Sequence, residues 1–413
     1  MTKPLGKLPF SSKPSKILHI DLNSCFATIE QQANPLLRDR PIAVAAYNSP
    51  RGVILAPSVQ AKKYGIRTGM RVMDGKKLYP GLIVLEPDAD KYRHVHHKLK
   101  EILMSYTNDV RAKSVDEFVL DFEGSPAYAH HNSNDLMLAG MAIKKRIKEQ
   151  IGEYITVSIG ISKNGFLAKT AAGLKKPDGL EEIHENNYLE CFSKLALIDL
   201  CGIGYKTVPK LNTAGIFTVV DFYNASAQYL KRTFGSIFGY YWYLRLRGYE
   251  IENYISSRKS VGHQYALPKP AKSLTELRPV LIKLVEKMGF RLRGYGYKAQ
   301  GIHLSLYFTD KTGWGMGRKT TTILFDSQDF YRELVNLYLK SPRKPIKLIS
   351  VTCFNLRKSG IYQLELFKDT IKHENLVKEL DKINKRWGKF VIAPASIMSR
   401  EKYIPDRIGF GNV

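Results

Sequence analysis

Cysteine is scarce in this chain: four in 413 residues, Cys25, Cys191, Cys201 and Cys353, with no CxxC pair and no zinc-ligand spacing. That excludes a disulfide framework and a zinc ribbon, and a reduced cytoplasmic compartment is the simplest setting. Long apolar runs are missing as well. The longest stretch without a charged residue, Thr233 to Leu244, has 12 residues, is aromatic and broken by glycine, and falls far short of a membrane span. The opening residues (MTKPLGKLPFSSKPSK) contain no apolar segment, so a secretory leader is not expected, and residues 1–15 read as a flexible basic tail. Acidic residues are the other shortage, 38 against 64 Lys+Arg.

What is present is a globular composition, 44% hydrophobic and 25% charged, in a chain too long for one ordinary core; two to four domains are expected. The formal net charge of +26 suits a polyanion, either nucleic acid or an anionic membrane surface. The surplus is uneven. Residues 258–365 carry 20 Lys/Arg and 7 Asp/Glu, so half of the excess sits in about a quarter of the chain. Charge identifies a class of partner and not a reaction.

Residues 17–22 (ILHIDL) read as a buried strand that ends on a carboxylate. A helix is expected over 25–37, strands at 41–45 and 52–56 around a turn at Asn48–Ser49–Pro50, and a helix over 58–64 stopped by Gly65. A long polar helix over 90–108 places Tyr92, Val95, Leu99, Ile102 and Leu103 on one face. Residues 113–122 (KSVDEFVLDF) read as strand, tight turn and strand, with Asp116–Glu117 at the bend. A helix over 135–151, a strand over 155–162 and a helix over 164–174 complete a mixed region that ends at KKPDG (175–179). Residues 181–245 read as helical, interrupted at Gly202–Ile203–Gly204, and Arg247 to Ser257 as a linker. Beyond it HQYALP, a helix over 273–291, QGIHLSLYF, KTTTILF, a helix over 328–340 and IKLISVTCFNL give the order βαββαβ of a small α+β domain. The end of the chain holds YQLELF (362–367) and a helical stretch over 375–386.

Asp21 closes a buried-looking strand, and Asp116 and Glu117 lie side by side at a turn 95 residues later. Adjacent carboxylates repel each other and call for a compensating cation. Three of them on neighbouring strand ends could hold two Mg²⁺ ions about 4 Å apart, as metal-assisted displacement at phosphorus requires. An Asp–Glu pair at a turn is more often merely solvated, and spacing alone favours that reading over a metal site.

The segments HIDLNSCFATIEQQ (19–32), KSVDEFVLD (113–121) and GISKNGFLAKTAAGLKKPDG (160–179), in this order and at these separations, resemble the Y-family translesion DNA polymerases. That class includes bacterial DNA polymerase IV and the UmuC-type catalytic subunit of polymerase V. CGIGYKTVPKLNTAGIFTVVDF (201–222) is similar to the helix-hairpin-helix of the family's thumb, and RKSVGH (258–263) to the opening of its little finger. The resemblance implies an α+β multidomain, right-hand polymerase: palm at 16–25 and 86–179, small fingers at 26–85, helical thumb at 180–246, linker at 247–257, a βαββαβ little finger at 258–361 and a tail at 362–413. It implies a DNA-directed DNA polymerase that adds dNTPs to a primer 3′-hydroxyl opposite damaged template, in DNA repair and the SOS response, in a bacterial cytoplasm near the nucleoid.

By position the resemblance also implies roles. Asp21, Asp116 and Glu117 match the carboxylates that hold two Mg²⁺, and the Leu22 carbonyl matches a backbone ligand. Phe26 falls at the aromatic steric gate, whose ring leaves no space for a 2′-hydroxyl; an ordinary core phenylalanine would look the same. Ser114 only shapes the turn. Two positions depart from the DNA polymerase IV pattern. The fingers helix has Val59 and Lys62 where Tyr and Arg are usual, and Lys62 neutralises a phosphate as a point charge without a bidentate fork. The palm helix has Asn164–Gly165 where Asn–Lys is usual, so the triphosphate lysine is missing, with Lys163 or Lys169 as its substitute.

For DNA, the Gly202–Ile203–Gly204 hairpin offers backbone N–H groups to one phosphate, or is simply a helix cap. Arg258, Lys259, Arg318 and Lys319 are candidate phosphate contacts on the basic domain, and each also reads as plain surface charge. Gln363, Leu364, Leu366 and Phe367 resemble the bacterial sliding-clamp peptide QLxLF; the alternative is a last amphipathic strand. Residues 375–413 resemble the tail of UmuC-like members, for which accessory subunits are a further expected partner, and no membrane is expected. Two rivals stand beside the polymerase reading. One is a catalytically weak or inactive DNA-binding relative acting as a clamp-associated repair partner; the other is a palm enzyme that makes cyclic nucleotides or copies RNA.

Overall fold

The computed structural model describes residues 8–125, 133–251, 258–358, 370–388 and 390–395. It divides into two compact units, the described residues up to Ile251 in the first and those from Arg258 in the second.

The first unit runs β1 (Ile17–Leu22), α1 (Cys25–Ala33), β2 (Ile42–Ala45), β3 (Ile54–Pro57), α2 (Val59–Lys63), α3 (Val72–Leu78), β4 (Ile83–Leu85), α4 (Ala89–Met104), β5 (Asp109–Ala112), β6 (Glu117–Asp121), α5 (Ser133–Gln150), β7 (Val157–Ser162), α6 (Gly165–Leu174) and β8 (Leu180–Glu182). Five short helices follow: α7 (Tyr188–Ser193), α8 (Thr207–Thr213), α9 (Val219–Asn224), α10 (Ala227–Phe234) and α11 (Phe238–Arg245). The main sheet has the order β5-β6-β1-β7-β8, with β1 antiparallel to both β6 and β7 and β7 parallel to β8.

Strand β1 is covered on both faces, which is why its sequence is nearly all apolar. Leu18, Ile20 and Leu22 join Phe118, Leu120, Ile159 and Ile161 under α4 and α5. Ile17, His19 and Asp21 alternate onto the other face, where α6 lies. That helix sits close because β7 has glycine at 160; a Cβ there would lie 2.0 Å from the Ala168 carbonyl oxygen and 2.1 Å from the Ala172 nitrogen. A second small sheet, β3-β2-β4, packs Ala43, Ala45 and Ile54 on Ala61, Ile66 and Val72. The short helices gather around Trp242, Phe192 and Phe222.

Three expectations change here. The helix expected over 25–37 stops at Ala33, because Asn34 is extended before Pro35 and only a 3-10 turn follows. Residues 8–15 are not a loose tail. Phe10 is buried and stacks on Tyr188 with ring centroids 4.2 Å apart, the Leu8 N–H donates to the Tyr243 hydroxyl at 2.7 Å, and Ser15 Oγ donates to Glu182 at 2.6 Å. The apolar Leu8 and Phe10 among the basic residues give this segment something to bury. Nor does a linker begin at Arg247, which is 2% exposed: its Nε donates to the Leu8 carbonyl at 2.9 Å, and its guanidinium lies 3.7 Å over the Tyr243 ring and 4.4 Å over Tyr223.

The second unit is β9 (Ser260–Ala271), α12 (Leu274–Gly294), β10 (Tyr297–Phe308), β11 (Gly313–Leu324), α13 (Ser327–Tyr338), β12 (Ile346–Lys358) and α14 (Thr370–Trp387). The first six are the expected βαββαβ, in the antiparallel order β11-β10-β12-β9. α12 and α13 cover one face through Ile302, Leu304, Leu306, Ile349 and Val351. α14 is fastened by a bidentate Arg293–Asp381 pair at 2.6 and 2.8 Å and by the buried Lys298–Glu374 pair. Among the described residues no helix is long and apolar enough to cross a membrane.

Candidate active site

The register of the main sheet does most of the assembly. Asp21 pairs directly with Glu117 across β1 and β6, so both side chains emerge on one face at one sheet end. Asp116 sits in the turn before β6, where its carbonyl accepts the Leu22 N–H at 2.9 Å. Ser114 closes that turn as expected: its Oγ accepts the Glu117 N–H at 3.1 Å and donates to Asp116 Oδ1 at 2.5 Å. Asp21 and Glu117 are thus brought together from two adjacent strand ends, and Asp116 lines the same cleft as Asp21 from the turn. At the end of β1 the chain turns through Ser24 in a left-handed conformation (φ 51°) straight into α1. This sharp turn places Phe26 beside Asp21. The Phe26 ring is buried, stacked on Tyr92 at 4.4 Å, and borders the cleft.

That cleft, about 540 Å³, is lined by Asp21, Leu22, Phe26 and Asp116 on one side, Val59, Lys62 and Lys63 of α2 on another, and Lys176–Pro177. Ser58 fixes α2: its buried Oγ accepts the N–H groups of Ala61 and Ile42, both at 3.1 Å. Burial and the nearby Lys176 lower the pKa of Lys62, against the pull of Asp21.

Two lysines already sit on the carboxylates. Lys169 Nζ, from α6, donates to both oxygens of Glu117 at 2.8 and 2.6 Å, and Lys176 Nζ donates to Asp21 Oδ2 at 2.6 Å. Burial works to lower the Lys169 pKa, but the hydrogen bonds and charge of Glu117 outweigh it and leave it above the ordinary value. The Asp116 carboxyl is pushed up by burial and by Asp21 and Glu117, against the Ser114 hydrogen bond. These ammonium groups stand in for cations, and carboxylate oxygens are hard donors, so the cluster fits divalent cations. His19 adjoins it, 2% exposed, with Nε2 3.8 Å from Glu117 Oε2; burial and then Lys169 lower its pKa to about 3, so the ring is neutral.

Lys163 must be reassigned. It follows β7 on the side away from the cleft, is buried, and binds Glu185 at 2.9 Å and the Ser11 carbonyl. Gly165 faces Glu250, whose carboxylate accepts its N–H at 2.9 Å. Sequence reasoning missed two cations that line the cleft, Lys63 of α2, next to the expected Lys62, and Lys176. Lys176 lay in a motif already noted, KKPDG, but only the fold aims it: Asn23 accepts the Asp178 N–H at 2.8 Å, tying that loop to the end of β1.

The DNA candidates divide. Gly202 and Gly204 are exposed, whereas the Ile203 side chain is buried and its N–H is taken by the Leu200 carbonyl at 2.9 Å, so a nest of three free amides is not formed. Lys319 pairs with Gly301 across β11 and β10, and the same row continues through Phe354 to Ser260. This face lies opposite the helices and carries Gly313, Gly315, Gly317, Ser305, Ser350, Thr352 and Gln264, with no acidic residue in register. Arg318 points to the helix side, held by Glu333 at 2.9 Å; Arg258 stacks on Tyr295 at 3.8 Å; Lys259 is exposed. Gln363, Leu364, Leu366 and Phe367 lie outside the described residues.

The sequence matches the impB/mucB/samB family over residues 20–173 and the C-terminal domain of that family over 258–366. It is 30% identical over 408 residues to DNA polymerase IV 1 of Bacillus subtilis (strain 168), covering 94% of each chain. It is 27% identical over 392 residues to DNA polymerase IV of Treponema denticola, covering 93% of this chain and 97% of that protein. Among solved structures it is similar to a Y-family DNA polymerase chimera, Dbh-Dpo4(243-245)-Dbh, with a TM-score of 0.73 and 23% identity over 82% of this chain and 98% of that one. It is also similar to an insertion ternary complex of Dbh DNA polymerase, with a TM-score of 0.59 and 22% identity over the same shares. These structures share the α+β right-hand fold.

Proposed function

Because this chain belongs to the impB/mucB/samB family, we propose that it is a DNA-directed DNA polymerase of the translesion type, extending a primer with dNTPs opposite damaged template. The observation that carries the reading is the meeting of Asp21, Asp116, Phe26 and Lys62 on one cleft, with Glu117 in register beside Asp21. Asp21, Asp116, Glu117 and the Leu22 carbonyl would hold two Mg²⁺ ions. Bound there, divalent cations lower the pKa of an attacking hydroxyl and neutralise charge on a triphosphate. The protein's own task is then positioning and charge. Lys62 and Lys176 approach the cleft from α2 and from the KKPDG loop and would bind the triphosphate as point charges. The Phe26 ring, braced by Tyr92, would meet the sugar where a 2′-hydroxyl would need space. Lys169 would release Glu117 when cations arrive, a holding role in place of nucleotide binding.

The reading of an inactive relative is not favoured: Asp21, Asp116 and Glu117 are all present, and Lys176, which lines the cleft, would supply the cation that Gly165 cannot. In a primer-extension assay Asp116→Ala and Glu117→Ala are each expected to lower the rate about a thousandfold or more, the size of several kcal/mol of transition-state charge stabilisation. Extension at the wild-type rate in either variant would exclude the metal-site assignment. We further propose that Gln363–Phe367 docks as an extended peptide into an apolar groove of the bacterial sliding clamp. A Leu366→Ala, Phe367→Ala double variant should no longer be retained by immobilised clamp; undiminished retention would rule the peptide out. Should the chain act in the UmuC-like manner, extension will also depend on accessory subunits.

A further inference from the structure

His19 is not used in the function argued above, and its surroundings do not explain it as a core residue. It alternates with Asp21 on β1, so the two side chains share the face onto which Glu117 projects. The ring is 2% exposed, and neither Nδ1 nor Nε2 has a hydrogen-bond partner among the described residues. Buried polar atoms left without a partner are rare and point to an ion or water that completes them. One ligand atom each from His19, Asp21 and Glu117 can be drawn so that all lie within 4.8 Å of one another. Three donors around one small dication at ordinary bond lengths are about 3–3.7 Å apart, so the set closes when the side chains move in by about an ångström.

We propose that His19 is a nitrogen ligand to the cation held by Asp21 and Glu117, so that this one of the two divalent positions suits a first-row transition dication better than the Mg²⁺ that the resemblance implies for both. The inference rests on the reading that these carboxylates bind a divalent cation. Mg²⁺ takes oxygen ligands, whereas imidazole suits transition ions, so one ring nitrogen beside two carboxylates tilts the choice. The Lys169 ammonium now holds both Glu117 oxygens and has to leave as the ion enters.

The test uses the full chain without DNA or nucleotide and Mn²⁺ as the probe. Binding is followed by the loss of the free Mn²⁺ EPR signal, and the ligand set by the pulsed-EPR modulation of a directly bound nitrogen. The expected result is a bound Mn²⁺ with ¹⁴N coupling that becomes ¹⁵N coupling when the histidines are ¹⁵N-labelled. The coupling should disappear in both Asp21→Asn and His19→Gln, and the Mn²⁺-over-Mg²⁺ preference in competition should fall about tenfold in His19→Gln. If His19→Gln does not fold, the labelled wild type together with Asp21→Asn decides. Mn²⁺ that is lost in Asp21→Asn yet shows no nitrogen coupling in the wild type overturns the role of His19 and leaves the polymerase reading standing. Failure of the wild type to bind either Mn²⁺ or Mg²⁺ overturns the carboxylate reading itself, and His19 with it.

Discussion

Lys176 and Lys163 show how much a lysine's role depends on the direction in which the backbone aims it. Lys176 holds Asp21 at 2.6 Å and borders the cleft, whereas Lys163, at the end of β7, points into the packing of residues 8–11 against Glu185. A charge-assisted contact to a phosphate is worth about 1.5–3 kcal/mol. Lys176→Ala should therefore raise the KM for dNTP about tenfold or more, with a smaller change in kcat. Lys163→Ala should leave that KM unchanged and lower the melting temperature, since it removes the cation that Glu185 and the Ser11 carbonyl share. Equal KM effects in steady-state primer extension would refute this division. The carboxylates stood out in the sequence, as a polar residue ending a buried strand and two acids at a tight turn, but only the resemblance to the Y-family polymerases separated them from a merely solvated turn. The lysines did not stand out, because 38 acids among 64 bases leave many equivalent cations, and only the Asn23 contact with Asp178 singles out one loop.

At the scale of elements, the site depends on how closely α6 lies on the sheet, because that distance sets whether Lys169 reaches Glu117. Gly160 permits it: a methyl group there would meet the backbone of Ala168 and Ala172, which cannot move without the helix. Gly160→Ala should cost about 3 kcal/mol or more and displace Lys169. A methyl group at Gly173, in the same helix, would meet nothing within 4 Å, so Gly173→Ala should instead stabilise by about 0.5–1 kcal/mol through helix propensity. Urea unfolding of both variants is the check, and similar effects of the two would remove the close-packing argument. Long periodic elements such as α4, α12 and β10 were readable because their apolar spacing repeats over several turns or pleats. β4 and β8 were not, since three residues carry no period; each exists because it lies parallel to a strand already in place, β2 and β7.

At the scale of the whole molecule, the net charge of +26 is not spread evenly over usable cations. In the second unit, Arg318 is held by Glu333 on the helix side, while Lys319 belongs to the face in register with Gly301, Phe354 and Ser260, where no acid intervenes. Lys259, one residue before Ser260, is exposed just outside β9, and continued alternation takes it off that face, which leaves Lys319 as the cation of this row. Each phosphate neutralised on duplex DNA releases counterion and steepens the dependence of log Kobs on log salt by about 0.9. Binding of primer–template DNA to the full chain, followed by fluorescence anisotropy across a KCl series, should therefore lose about 0.9 from the slope in a Lys319→Ala variant. Arg318→Ala should leave the slope nearly unchanged, because its charge is already spent on Glu333. A slope that falls as much for Arg318→Ala as for Lys319→Ala would mean that this face does not track the duplex, and that the surplus charge acts only as a diffuse attraction.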